Sequence, residues 1–178
     1  MSVRGRIVSF AWEYNGSDCS TEDGMSAMTY VLGPPPKGAK WESMLRVPFS
    51  IVNGKVRGVS TCGLVAEGFW RMAGIKMSSL HEPYRFGTAI ARALNFAIKH
   101  DAYHLGHHGI KYGDYVLFRG GKHVATVTDV DATHIYTVDG GQVCGVKRLQ
   151  CIKERKRLRK EVTGFIDVSR LPYEKKYY

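Results

Sequence analysis

The hydrophobic period of this chain changes once along its length, and that change limits the folds open to it. Leu64, Val65, Phe69, Met72 and Ala73 recur at spacings of three and four, the pattern of an amphipathic helix that ends at Gly74. After Gly113-Asp114 the apolar positions alternate instead, as they do in strands. Strands are expected over Tyr115–Phe118, His123–Val130 and His134–Val138, with Asp131-Ala132-Thr133 as the loop of a hairpin and Gly140-Gly141 breaking the third strand. Further strands are expected over Val143–Ile152 and Gly164–Val168, and a second helix over Thr88–Lys99 with Ile90, Leu94, Ala97 and Ile98 as its apolar stripe. Helices first and a meandering sheet afterwards define an α+β chain.

Residues 1–58 read as an irregular N-terminal extension packed on a domain formed by residues 59–178. Gly33-Pro34-Pro35-Pro36 is a breaker cluster that no helix or inner strand accommodates, and Asn53-Gly54 has the chemistry of a short hairpin turn. At 178 residues the chain buries a core without staples. The four cysteines, Cys19, Cys62, Cys144 and Cys151, are too few and too scattered for a disulfide framework, and no CxxC pair is present. No apolar run approaches the ~18 residues that span a bilayer. Arg4 and Arg6 precede only Ile7 to Trp12 as an apolar stretch, shorter than the roughly 7–15 residues of a signal-peptide core. The expectation is synthesis in the cytoplasm, with action elsewhere dependent on lysis or dedicated secretion.

Lys plus Arg number 26 against 16 acidic residues, a net charge of +10. Between Lys147 and Lys160 lie eight basic residues and one acidic, Glu154, so this strip holds most of the excess. Such a strip suits contact with an anionic polymer, or else is a solvated face.

The chemistry centres on Cys62, which opens the first helix with Ser60 or Thr61 at the N-cap position. The unpaired N–H groups and partial positive charge of a first turn favour thiolate over thiol. The same groups, at Thr61 and Cys62, are placed to hold a developing oxyanion. A nucleophilic cysteine also needs a base. His123 begins a strand directly after the turn Arg119-Gly120-Gly121-Lys122, which sets its ring at a sheet end. With a three-residue hairpin loop, paired residue numbers sum to 264, and 123, 125 and 127 share a face with 135, 137 and 139. Asp139 is then the diagonal neighbour of His123, whereas a two-residue loop would move it to the other face. Gln142 is the rival for orienting the imidazole.

Taken in order, these segments resemble the papain-like NlpC/P60 and CHAP hydrolases. Ser60-Thr61-Cys62-Gly63-Leu64-Val65 looks like their nucleophile helix, and Gly113-Asp114-Tyr115-Val116-Leu117-Phe118 like their Gly-Asp-x-Val-x-Phe strand. His123-Val124-Ala125-Thr126-Val127-Thr128 is similar to their catalytic histidine strand, and Asp139 falls where they place an acidic or amide third residue. The resemblance covers about residues 58–145. It implies a papain-like fold, a nucleophile helix packed on a central antiparallel sheet, and a cofactor-free thiol hydrolase of amide bonds. The substrate it implies is the peptide stem of peptidoglycan, attacked by a phage-type lysis or tail enzyme or by a secreted antibacterial effector. Partners would then include an inhibitor or delivery-machine protein. The alternatives are an inactive adaptor of the same fold in a phage tail or secretion system, and a basic nucleic-acid-binding module.

Trp12, Trp41 and Tyr84 are candidates for the wall of a substrate groove, with packing as the competing role. Asp114 reads as a turn residue. Cys19, Cys144 and Cys151 read as structural. His100 and His104 have the i,i+4 spacing of a metal pair, but no HExxH pattern surrounds them and Gly106 argues that the helix has ended. No metal is expected.

Overall fold

A computed structural model of the chain describes residues 1–46, 50–52, 55–57, 60–78, 89–144 and 149–174. Helices α1 (Val3–Tyr14), α2 (Glu22–Leu32) and α3 (Trp41–Leu45) lead to a two-stranded ribbon, β1 (Ser50–Val52) and β2 (Lys55–Arg57). Then follow α4 (Cys62–Met72), α5 (Ala89–Lys99), β3 (Tyr103–Leu105), β4 (Tyr115–Phe118), β5 (His123–Val130), β6 (His134–Cys144), β7 (Leu149–Leu158) and β8 (Val162–Ile166). The last six strands form one antiparallel sheet in the order β3-β8-β4-β5-β6-β7. The expected mixture of helices and antiparallel sheet is present.

The N-terminal region departs from its irregular reading. Ser2 caps α1 by accepting the Gly5 N–H at 3.1 Å, and Val3, Ile7 and Ala11 form a buried stripe at spacings of four. Thr21 caps α2 by accepting the Gly24 N–H at 3.0 Å, with Glu22 and Asp23 favourably placed in the first turn. Met25, Met28, Val31 and Leu32 are its buried face. Gly33, at φ 73°, ends α2 ahead of the prolines, so the breaker cluster does break, but after a helix. These stripes join Val65, Phe69, Trp70, Tyr115, Val138 and Ile152 in one buried cluster. The opposite sheet face carries a smaller cluster of Val116, Phe118, Ala125, Val127, Ile135, Val162 and Phe165. Asn53 and Gly54 lie outside the described residues, although the strands on either side pair as a hairpin requires.

Two arginines at the N-terminus clamp α1 to the rest of the fold. Arg4 donates to Asp114 at 2.6 Å, to Asp167 at 2.5 Å and to the Tyr112 carbonyl at 2.8 Å. Arg6 donates to the Ala73 carbonyl, just past the end of α4. Asp114 is therefore more than a turn residue: it is fully buried and also accepts the Lys111 N–H at 2.8 Å. Burial raises its pKa to about 6, against the lowering effect of Arg4. Removing one partner of such a pair strands a buried charge. Arg4→Ala is expected to lose about 3 kcal/mol of unfolding free energy, measured as a lower urea midpoint; an unchanged midpoint would show that the clamp contributes nothing.

Helix α5 also differs from its expected stripe. Its buried face is Ala89, Ala93 and Ala97, while Ile98 is 61% exposed and Ile90 and Leu94 are partly covered. Small residues win that face because α4 approaches closely: a Cβ added at Gly63 would lie 3.1 Å from the Ala89 Cβ. His104 lies on β3 and stacks on Phe165 at 4.9 Å, so the helical spacing with His100 is not realised.

The segment 143–152 is not one strand. It holds the end of β6 and the start of β7, which are cross-linked by a Cys144–Cys151 disulfide; the four cysteines, expected to be too few and too scattered for a disulfide framework, supply this one bridge, and Cys144 and Cys151 are structural through it. Cys19 and Cys62 are free and buried. The outer edge of β7 is capped by residues 15–19: Gly16 N–H donates to the Ile152 carbonyl at 2.9 Å, and Ile152 N–H to that of Ser17 at 2.9 Å.

Candidate active site

The site forms where the start of α4 meets β5, β6 and β7. Cys62 is the first residue of α4, and its Sγ lies 3.5 Å from Ser60 Oγ. Thr61 is the N-cap, but its side chain makes no cap bond. Its hydroxyl and its N–H instead donate to Oε1 of the buried Gln150 on β7, at 2.8 and 3.3 Å. Of the two expected oxyanion donors, Thr61 is thus already engaged. Cys62 N–H remains in the first turn, where N–H groups have no intrahelical acceptor.

Two glycines let β6 reach the helix. The strand does not break at Gly140-Gly141; a bulge between Asp139 and Gln142 absorbs both, and β6 continues to Cys144. A Cβ at Gly140 would lie 2.4 Å from Val65 Cγ2 and 2.8 Å from the Thr61 carbonyl oxygen. Gly141, at φ 70°, would put one 3.2 Å from the Cys62 nitrogen. Only residues without a side chain fit that approach.

The hairpin register reaches the expected pairing by an unexpected route. Beside the loop, Val130 pairs with Ile135 and Asp129 with Tyr136, so the loop is one residue longer than read. Asp131 Oδ1 accepts the N–H groups of Thr133 and His134, which stabilises that longer turn. A bulge at Thr128 then shifts the ladder, and Val127 pairs with Thr137 and Thr126 with Val138. From there the pair numbers sum to 264, and His123 and Asp139 come together.

His123 Nε2 lies 2.8 Å from Asp139 Oδ2. Cys62 and His123 act on each other electrostatically, each favouring the charged form of the other. The ring stacks on Phe118, centroids 5.9 Å apart. Gln142 does not displace Asp139; it stands behind it, donating from Nε2 to Asp139 Oδ2 at 3.4 Å and accepting from Arg155 Nε at 3.1 Å. Arg157 also donates to Asp139 Oδ2. Ser60, Gln150, Arg155 and Arg157 were not expected at the site. Arg155 and Arg157 were hidden inside the basic strip, although their period-two spacing on β7 was a usable signal.

Two of the three groove candidates, Trp12 and Trp41, lie among the described residues. Trp41 is buried with its indole N–H on the Gly33 carbonyl at 2.6 Å, a core position. Trp12 is 45% exposed on α1. Tyr84 lies outside the described residues, as does Lys147 at the start of the basic strip.

Burial pushes the Cys62 thiol up, but hydrogen bonds from His123 and Ser60, the His123 charge and the Val124 N–H together bring it below its ordinary value of 9. Burial likewise opposes a charged His123, yet its hydrogen bonds to Asp139 and Cys62 and their charges raise it to about 9. The thiol has lost its proton below a pH at which the imidazole still keeps one. Between the two midpoints the pair is thiolate and imidazolium, titrating as a unit. Alkylation of Cys62 by iodoacetamide should therefore show a midpoint below that of an unperturbed thiol. Turnover that needs both ions should rise as the thiol ionises and fall above about pH 9 as the imidazolium is lost. An alkylation midpoint at or above that of an unperturbed thiol would contradict this coupling.

Comparison with protein-family models, with curated proteins and with solved structures finds no match to this chain.

Proposed function

We propose that this chain is a papain-like cysteine hydrolase of amide bonds, acting on the peptide stems of peptidoglycan as a lysis or tail enzyme or a secreted antibacterial effector. The observation that carries the chemistry is the line from Cys62, at a helix start, through His123 to Asp139 Oδ2 at 2.8 Å. The substrate class rests on the resemblance of the ordered motifs.

In this reading the Cys62 thiolate attacks the amide carbon, and the carbonyl π electrons move onto oxygen. The N–H groups of the first turn of α4, Cys62 among them, stabilise that oxyanion. His123 gives its proton to the amine as the C–N bond breaks, leaving a thioester. The neutral imidazole next removes a proton from water, whose oxygen attacks the thioester and releases the acid and the thiolate. Asp139 holds the imidazole orientation and balances its charge throughout.

Incubating purified sacculi with the protein and with its Cys62→Ala variant, then identifying released fragments by mass spectrometry, tests both halves of the proposal. New termini at peptide-stem amides, seen only with the unsubstituted protein, are expected. Undigested sacculi alongside a rapidly alkylated Cys62 would move the substrate to another class of amide.

A further inference from the structure

Arg157 enters the site from a direction that the line Cys62–His123–Asp139 does not require. In the ladder it faces Ile135, so its side chain runs along the sheet to reach Asp139 four residues further on β6. Its guanidinium lies over the Phe118 ring, 4.7 Å from the centroid, and the same ring stacks on His123. Its Nη2 is 3.3 Å from His123 Nε2. Arg157 Nε is buried with no hydrogen-bond partner, which is an unusual cost for a residue of a solvated strip.

Imidazole and guanidinium therefore converge on one oxygen. Both contact Asp139 Oδ2, while Oδ1 is buried and accepts nothing. A guanidinium is always charged. The titratable and charged groups facing His123, among the described residues, are Cys62 from α4, Asp139 from β6 and Arg157 from β7. Two of these attract a proton to the ring, and one repels it. Asp139 and a thiolate acting alone would hold the imidazolium so firmly that donation to a leaving amine would be slowed.

We propose that Arg157 is a positioning residue that divides the Asp139 carboxylate with His123, fixing the carboxylate in place while weakening its grip on the imidazolium so that the ring can release its proton. The inference rests on the cysteine-hydrolase reading of this site. It also removes Arg157, and with it part of the Lys147–Lys160 strip, from the role of a simple polyanion-binding surface.

The test compares the full chain with Arg157→Gln and Arg157→Lys, following the His123 ring by NMR across pH and Cys62 by its iodoacetamide alkylation rate. Loss of the neighbouring positive charge should raise the His123 midpoint in Arg157→Gln by about one pH unit, a tenfold tighter hold on the proton. Arg157→Lys keeps the charge and should stay close to the unsubstituted chain. An unmoved or lowered midpoint in the Gln variant overturns the proposal, and so does a Lys variant that behaves like Gln. An arginine with only a structural role would lower the melting temperature and leave the titration where it was. Should Arg157→Gln fail to fold, Arg157→Met removes the charge while keeping an apolar stem over Phe118, and the same shift decides. Neither readout needs turnover. A Cys62 that alkylates no faster than an ordinary thiol at neutral pH sinks the hydrolase reading, whereas the shift between variants decides the role of Arg157.

Discussion

Replacing Cys62 or His123 with Ala should reduce cleavage of sacculi by at least about a thousandfold, with circular dichroism and thermal unfolding little changed. Under the proposed mechanism Cys62→Ala deletes the nucleophile, and His123→Ala deletes both the counter-ion that favours its thiolate and the acid that expels the amine. The two losses should not add in the double variant, because the residues work as one unit. Asp139→Ala should cost less, since orientation and charge balance are auxiliary to the bond-making steps. Gln142→Ala should cost less again, because Gln142 reaches the imidazole only through Asp139. Full activity in either the Cys62 or the His123 variant would remove the hydrolase proposal.

Gly140→Ala is expected to be the most damaging change that touches no reacting group. The new Cβ would stand 2.4 Å from Val65 Cγ2 and 2.8 Å from the Thr61 carbonyl oxygen, so either β6 or the start of α4 must move. Neither can yield freely. Val65 is fully buried, and Thr61 is tied to Gln150. Overpacking of this kind costs about 2–3 kcal/mol, and the displacement separates Cys62 from His123. Urea unfolding should report the first effect, and a slower iodoacetamide reaction the second. Gly120→Ala is the matched control: it sits at φ +64° with nothing within 4 Å of an added Cβ. It should cost only about 1 kcal/mol of backbone strain and leave the thiol as reactive as before. Equal behaviour of the two variants would mean that the close approach of β6 to α4 does not set the site.

These effects also mark how far the site could be read without coordinates. Cys62 at a helix start, His123 at a strand start and Asp139 on the paired strand all follow from local periodicity. The expected pairing of His123 with Asp139 rested on side chains alternating with period two and on a three-residue hairpin loop. It survived a loop one residue too short because the bulge at Thr128 restored the register before the ladder reached the site. No local pattern announces that compensation. A bulge answers to the twist of the sheet and to what packs on it.

The N-terminal helices were legible in part and missed. Val3, Ile7 and Ala11 already show a spacing of four, and Ser2 and Thr21 stand where caps belong. Glycines and prolines nearby outweighed these short stripes. Their stability comes from burial against α4 and the sheet and from Arg4 and Arg6, not from intrinsic helix propensity.

By itself, then, the sequence determined which residues could be nucleophile, base and orienting carboxylate, because a helix start and a strand period are set by neighbours a few positions away. The tertiary structure decided how they are held. Gln150 meets Thr61 across 89 positions and Arg157 meets Asp139 across 18, and a one-dimensional pattern treats both residues as ordinary members of a polar strand. Whether a charged side chain on that strand faces water or a buried carboxylate depends on which strand it pairs with and in which register. That choice is made by the packing of the whole sheet, which is why a strip read as surface charge contains an arginine bound at the centre of the site.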